Sequence, residues 1–279
     1  MKSCFYLLIN VFAQSHFGGN PLAVFYEADE LDCSQMQLIA RQFNLSEVVF
    51  IQSPTHSQAV KKLKIFTPDY EMPFAGHPTV GAAFVLRSQL NLPDEYILET
   101  NAGLVEIQHK NDVVTFALKN GIKIENALLS RSECADILGL EISDIACEPC
   151  YVNTGVEQLL IGLSSKQAVE NCKINANLFI DNPLIKDSLY IWHRTENNVK
   201  ARLFFTSQGT VVEDPGTGSA AANLGGWHIA KGLTPLNVII SQGDEIDRPN
   251  RLSLSVDEKH IIFVGGKAIL VGKGEFYLP

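Results

Sequence analysis

The chain is poor in positive charge. Its 279 residues carry 22 Lys and Arg against 31 Asp and Glu, a formal net charge of −9 at pH 7. Nucleic acid needs a basic surface, so that partner is excluded. The one local cluster of bases, Lys61, Lys62 and Lys64, reads as a solvated strand edge. Long apolar runs are missing too: none approaches the roughly 20 residues that span a bilayer. The opening MKSCFYLLINVFA has the lysine and apolar run of a secretory leader. However, Asn10 interrupts the run and no cleavage pattern follows, so a first β-strand and a cytoplasmic chain are expected. Six cysteines are spread without a disulfide framework. Cys147 and Cys150 make a lone C-x-x-C, and no second pair stands near enough for a structural zinc site, so no metal is expected.

What is present is a composition able to build a core, 46% hydrophobic and 19% charged, and an internal echo. HPTVGAA at 77–83 and DPGTGSA at 214–220 share a skeleton at a separation of 137 residues; Lys64-Ile65-Phe66 is echoed by Arg202-Leu203-Phe204 at 138. Two matches in order at nearly one offset indicate duplication. Strand-like runs recur, such as EVVFIQ, KKLKIFT, ARLFFT and NVIIS, and helical segments are expected over 34–43, 78–90, 131–140 and 217–233. The expected fold is α+β: two pseudo-symmetric domains, 1–122 and 123–279, each a mixed β-sheet wrapped around a central hydrophobic helix, the last strand being free to cross back to the first half.

The repeated loop is where chemistry is expected. Pro73, Gly76 and Pro78 force a corner, with the helix beginning at Pro78 and His77 near its N-cap. In the second copy Asp214 takes that place. A capped helix behind a Pro-Gly turn accounts for either copy alone. Two copies offer two helix N-termini, whose free N–H groups and positive dipole ends hold carboxylates and phosphates. Gly76 and Gly218 let a ligand approach the backbone, and Thr217 and Ser219 add hydroxyls. Glu47, in NLSEVVFIQ, falls on the apolar face shared by Leu45, Val49 and Ile51, where a carboxyl resists ionising and its pKa rises toward the useful range for general acid–base work. The spacing G-x-G-x-x-A at Gly216, Gly218 and Ala221 also matches a dinucleotide turn, but no parallel βαβ pattern surrounds it, and Asp244 and Glu245 lie 28 and 29 residues past Gly216.

The ordered segments FGGNPLAVF (17–25), NLSEVVFI (44–51), FTPDYEMPFAGHPTVGAA (66–83), ETNAG (99–103), NTGVEQLLI (153–161), EDPGTGSA (213–220) and SQGDEIDRP (241–249) resemble the signature of the PhzF-like proteins, named for an isomerase of phenazine biosynthesis. The wider superfamily is that of diaminopimelate epimerase. The resemblance implies one active site between two similar domains, catalysis without a cofactor, and homodimers. Its catalytic glutamate falls on Glu47, its histidine on His77, its aspartate on Asp214 and its serine on Ser219. Gly76 and Gly218 fall where backbone N–H groups hold a carboxylate, and Asn20 in the nearby Gly-Asn-Pro turn. The paired cysteines of the epimerases and proline racemases are missing from both loops, so two-thiol epimerisation is not expected. Gly216, Ala221 and Asp247 depart from the usual residues, and the first two are expected to enlarge the pocket.

The expected activity is therefore a proton or double-bond shift in a small cyclic or amino carboxylic acid, with Glu47 as the acid–base and His77 and Asp214 orienting the substrate. A non-catalytic carboxylate-binding or scaffold protein is the alternative from another class, and an NAD(P)-dependent oxidoreductase the weaker one.

Overall fold

The computed structural model describes residues 2–119, 121–186 and 188–278. The chain divides into two compact units, Met1–Leu118 with Phe263–Pro279, and Lys119–Ile262. The first runs β1 (Lys2–Val11), β2 (Asn20–Phe25), α1 (Cys33–Phe43), β3 (Val48–Gln52), β4 (Lys61–Phe66), β5 (Glu71–Met72), α2 (Gly76–Leu90), β6 (Glu95–Thr100), β7 (Gly103–Lys110) and β8 (Val113–Leu118). Strand β2 pairs antiparallel to β1 and parallel to β3; β4 pairs antiparallel to β3 and β5 and parallel to β6; β6, β7 and β8 follow as an antiparallel meander.

The second unit runs β9 (Lys123–Asn126), α3 (Arg131–Leu138), β10 (Cys150–Asn153), β11 (Glu157–Gly162), α4 (Lys166–Asn171), α5 (Ala176–Ile180), β12 (Ser188–Thr195), β13 (Asn198–Ser207), β14 (Thr210–Asp214), α6 (Gly218–Ala230), β15 (Leu236–Gln242) and β16 (Asn250–Val256). Its pairings repeat those of the first: β10–β11 antiparallel, β11–β12 parallel, β12–β13 and β13–β14 antiparallel, β13–β15 parallel and β15–β16 antiparallel. The last strand, β17 (Ile262–Leu278), pairs along β1 from Lys2↔Leu278 to Val11↔Ala268 and also pairs with β8. With it the first unit's sheet becomes a closed ring of β1, β2, β3, β4, β6, β7, β8 and β17, a mixed, barrel-like sheet.

The helix inside explains the closure. Residues 76–83 of α2 are all buried, as are Val85 and Leu86, so the helix has no polar face to give to water. It packs on β1, β2, β3, β4 and β8. Val80, Val85 and Leu86 each contribute about 1.5–3 kcal/mol of burial, as an upper estimate. In the second unit α6, buried over residues 220–228, packs in the same way on β10, β11, β15 and β16. The other helices cover outer faces: Met36, Ile39 and Ala40 of α1 lie over Phe25, Phe50 and Phe66, and α3 lies with Leu159, Ile161, Leu189 and Ile191.

The helices expected over 34–43, 78–90, 131–140 and 217–233 are present as α1, α2, α3 and α6. The short helices α4 and α5 and the strand β12 were not anticipated. The Lys61–Lys64 cluster lies in β4, which is no edge, since β3 and β6 flank it; Lys62 and Lys64 pair instead with Glu99 and Glu71.

Closure requires close backbone approach at Gly265, where a Cβ would lie 2.3 Å from the Val114 carbonyl oxygen and 2.9 Å from the Thr115 Cα. Backbone cannot yield as a side-chain tip does. Gly265→Ala is expected to cost about 2 kcal/mol or more in urea unfolding, whereas Gly272→Ala, whose nearest contact would be an ordinary 3.5 Å, is expected to stay within about 1 kcal/mol.

Candidate functional site

Both central helices follow the same corner, but in a register five residues away from the sequence echo. Phe66 opposes Glu71 in the β4–β5 hairpin, and Phe204 opposes Glu213 in the β13–β14 hairpin. The helices then start at Gly76 and Gly218. Glu71-Met72-Pro73-Phe74-Ala75-Gly76-His77 thus matches Glu213-Asp214-Pro215-Gly216-Thr217-Gly218-Ser219, at a separation of 142 residues. The counterpart of His77 is Ser219, and that of Asp214 is Met72. The longer second hairpin produced the false offset, helped by the repeated Pro, Gly and Ala. The bases of the echo also find their partners: Lys64 Nζ lies 2.5 Å from Glu71 Oε1, and Arg202 Nη2 lies 2.7 Å from Glu213 Oε2.

The N-caps are Ala75 and Thr217, not His77 and Asp214. His77 is the second helical residue and Pro78 the third, a place that tolerates proline because first-turn N–H groups have no intrahelical acceptor. Neither central helix has a side-chain cap. By contrast Asp32, Ser130, Ser165 and Asn175 accept from the first turns of α1, α3, α4 and α5. The two helices at the corners keep a first turn that the protein's own caps do not satisfy, which is an arrangement for an anionic ligand.

At the mouth of α2, three expected residues meet. His77 Nδ1 lies 3.4 Å from Asn20 Nδ2 and 3.5 Å from Glu47 Oε2. Glu47 stands one residue before β3, not within it, with its side chain 16% exposed. Burial pushes the His77 imidazole down to about 3, so it is neutral at pH 7. Its Nε2 is buried with no hydrogen-bond partner among the described residues. A neutral imidazole with one nitrogen at a carboxyl group and the other unused can steady a ligand without adding charge.

At the mouth of α6, Asp214 ends β14, and the Thr217 hydroxyl donates to its Oδ2. Gln242, fully buried, donates from Nε2 to the Asp214 carbonyl and to Thr217 Oγ1, both at 2.9 Å. Ser219 Oγ accepts from Gln158 Nε2 at 3.2 Å, and Gln158 Oε1 accepts from Asn223 Nδ2 at 2.8 Å. The sequence reading missed Gln158, Gln242 and Asn223. The signal was there for Asn223, a lone amide in an otherwise apolar helix, GSAAANLGGW, since a buried polar group must be bonded.

The departures have local explanations. Gly216 does not open the pocket: a Cβ there would lie 2.3 Å from Asn250 Oδ1, so the Asn250 side chain takes the space. Ala221 is fully buried in α6. Asp247 has φ 55°, a left-handed conformation that glycine favours and Asp tolerates. The dinucleotide reading fails on topology, because β14 runs antiparallel to β13 and α6 leads to β15 beside β13; Asp244 and Glu245 are taken by Lys200. Cavities of about 510 Å³ around Lys166, His193, Lys200 and Arg251, and about 630 Å³ around Arg87, His109 and Lys267, are lined by none of the expected site residues. Their bases are largely spent on carboxylates, Lys200 and Arg251 on Asp244, Arg87 on Asp94 and Lys267 on Asp112, so size here does not mark the chemistry.

Two outcomes follow from this geometry. Gly216→Ala should cost about 1–3 kcal/mol in urea unfolding, and the double variant with Asn250→Ala should be more stable than the sum of the single changes. His77, neutral in the fold and ordinarily titrating near 6.5, contributes stability that is complete above that pH and is lost as the pH falls toward 3. Below pH 6.5 this one group removes about 1.4 kcal/mol per pH unit, and His77→Asn should flatten the fall measured between pH 6 and 5 by an amount of that order.

No helix among the described residues is long and apolar enough to cross a membrane. Residues 9–274 match the family model described as phenazine biosynthesis-like protein. An uncharacterized isomerase of Pasteurella multocida is 58% identical over 98% of this chain and 94% of its own. The trans-2,3-dihydro-3-hydroxyanthranilate isomerase of Pseudomonas aeruginosa is 31% identical over 98% and 99%. The solved structure of a Bacillus anthracis phenazine biosynthesis protein of the PhzF family superposes with a TM-score of 0.86 at 24% identity, covering both chains fully, a likeness of fold. The chain with its two uncapped helix mouths belongs to the phenazine biosynthesis-like family, and it is an isomerase.

Proposed function

We propose that the chain is a cofactor-independent isomerase that moves a proton, and with it a double bond, in a small cyclic or amino carboxylic acid. The repeated order of strand pairings supports reading the chain as a duplicated pair of domains, the last strand crossing back to the first. The observation that carries the reaction is the cluster of Asn20, Glu47 and His77 at the uncapped start of α2. Glu47 takes a proton from a carbon next to a carboxylate or its vinylogue. The electron pair of that C–H bond moves into the conjugated system, and the new charge spreads onto the carboxylate oxygens. Free N–H groups at the start of α2, that of Gly76 first among them, steady that charge, with Asn20 and His77 as further contacts; Asp214, Thr217, Gly218 and Ser219 make the equivalent mouth of α6. Glu47 then returns the proton to another carbon on the same face, so the balance needs no further reactant.

The name of the Pseudomonas aeruginosa relative supplies the first substrate to try, trans-2,3-dihydro-3-hydroxyanthranilate, within a panel of cyclic and amino carboxylic acids. In D₂O the protein is expected to catalyse loss of one C–H signal in the proton NMR spectrum of its substrate. Glu47→Gln should slow that loss by about 100-fold or more. Exchange that survives the change at full rate would remove Glu47 from its role; substrates bound without exchange would favour a binding protein.

A further inference from the structure

We infer that Asn101 is a positioning residue: from the turn between β6 and β7 it holds the corner that aims the start of α2. The inference rests on the proposed reading of that mouth as the reaction site. It comes from ETNAG (99–103), which forms the end of β6, the turn and the start of β7. The mouth of α2 has few donors. Ala75 is the N-cap, Pro78 has no N–H, and the Thr79 N–H is spent on the Ala75 carbonyl at 3.3 Å. Gly76 and His77 are left, and no acceptor for their N–H groups is found among the described residues. With two donors only, the direction of the corner decides where they point.

Two ties run from the turn to that corner. The Ala102 N–H donates to the Pro73 carbonyl at 3.0 Å. Asn101 Nδ2 donates to Glu71 Oε1 at 2.7 Å; an ionised carboxylate only accepts, so the amide cannot face it the other way. The turn itself is closed, since the Thr100 hydroxyl donates to the Gly103 carbonyl at 3.0 Å and accepts from the Ala102 N–H at 3.2 Å. Behind it Glu99 accepts from the Thr55 N–H and hydroxyl and from the His56 N–H, and pairs with Lys62.

The second unit shows what Asn101 supplies. Lys62 faces Glu99 across β4 and β6, and Lys200 faces Ser241 across β13 and β15. The echo that matches Lys64 with Arg202 therefore matches Asn101 with Gly243, which has no side chain to offer. There Arg202 grips Glu213 with two nitrogens, at 3.0 and 2.7 Å. In the first unit Lys64 brings one donor to Glu71, at 2.5 Å, and Asn101 brings the other. A lysine and an asparagine together stand where one guanidinium suffices. The α6 glutamate is held from β13 alone, the α2 glutamate from β4 and the turn together.

Two variants test this, Asn101→Ala and the same change combined with Lys64→Arg. In ¹⁵N-labelled protein Asn101→Ala should move the backbone amide signals of Gly76 and His77. The double variant should bring them back toward wild type, because arginine in β4 can supply both donors. With trans-2,3-dihydro-3-hydroxyanthranilate in D₂O, Asn101→Ala should lower the saturated exchange rate about tenfold and change KM less than about threefold. The double variant should recover most of that loss. Asn101 is exposed, so its urea midpoint should stay within about 0.5 M of wild type. Amide signals that do not move in Asn101→Ala, or a double variant no better than Asn101→Ala alone, would overturn the positioning role. A rate loss that comes with a large fall in the urea midpoint would mean a general loosening and would overturn it too. Wild-type protein that leaves the compound unexchanged would overturn that substrate for the site, while the amide signals would still decide the role of Asn101.

Discussion

The arrangement depends on one ion pair, made twice. In each unit a base within a strand holds the glutamate that opens the corner before the central helix: Lys64 with Glu71, and Arg202 with Glu213. The second is the stronger form, a two-pronged guanidinium–carboxylate contact whose remaining nitrogen donates to the Val169 and Cys172 carbonyls. The pair pins the short hairpin strand, and the hairpin aims the start of the helix. Because the helices are apolar on every side, they cannot shift their ends toward water without losing core, so the corner and the core together fix where the free N–H groups point.

On that shared scaffold the two corners carry different chemistry. Glu47 corresponds to Ser188, His77 to Ser219, and Met72 to Asp214, by the registers of β3 with β4 and β12 with β13. Only the first corner has a carboxyl beside a neutral imidazole; only the second has a hydroxyl held by a chain of buried amides. The difference agrees with the proposed reaction, which uses a single base, Glu47.

Much of the fold was legible. The apolar runs of α2 and α6 announced themselves as buried helices, and the echo of KIF in RLF located equivalent strands and, unseen, equivalent ion pairs. Boundaries at the corners were not legible, because a helix start is read from its cap, and these two helices have none. That is why Pro78 looked like the beginning and His77 like the cap. The slip of five residues has a related cause: proline, glycine and alanine match one another cheaply, and only strand pairing distinguishes a true register from a neighbouring one. Glu47 and His77 were singled out from the strand pattern and the repeated corner, Asn20 by resemblance alone, and the three are found together in the structure. Gln158 and Gln242 escaped notice because a glutamine in a strand is ordinary until its burial is known, and Asn250 because nothing local links it to Gly216.

The last strand carries a consequence for how the protein is made. The ring of the first unit pairs Lys2 with Leu278, the two ends of the described chain, while Lys119–Ile262 is continuous. As the chain leaves the ribosome, the second unit can complete its pairings before β17 has been translated, and the first must wait with β1 and β8 unsealed. The topology therefore lets the second unit close before the first, against the usual N-terminal-first order of vectorial folding. Until β17 is in place, the edges of β1 and β8 that flank the gap are open to pairing with another chain.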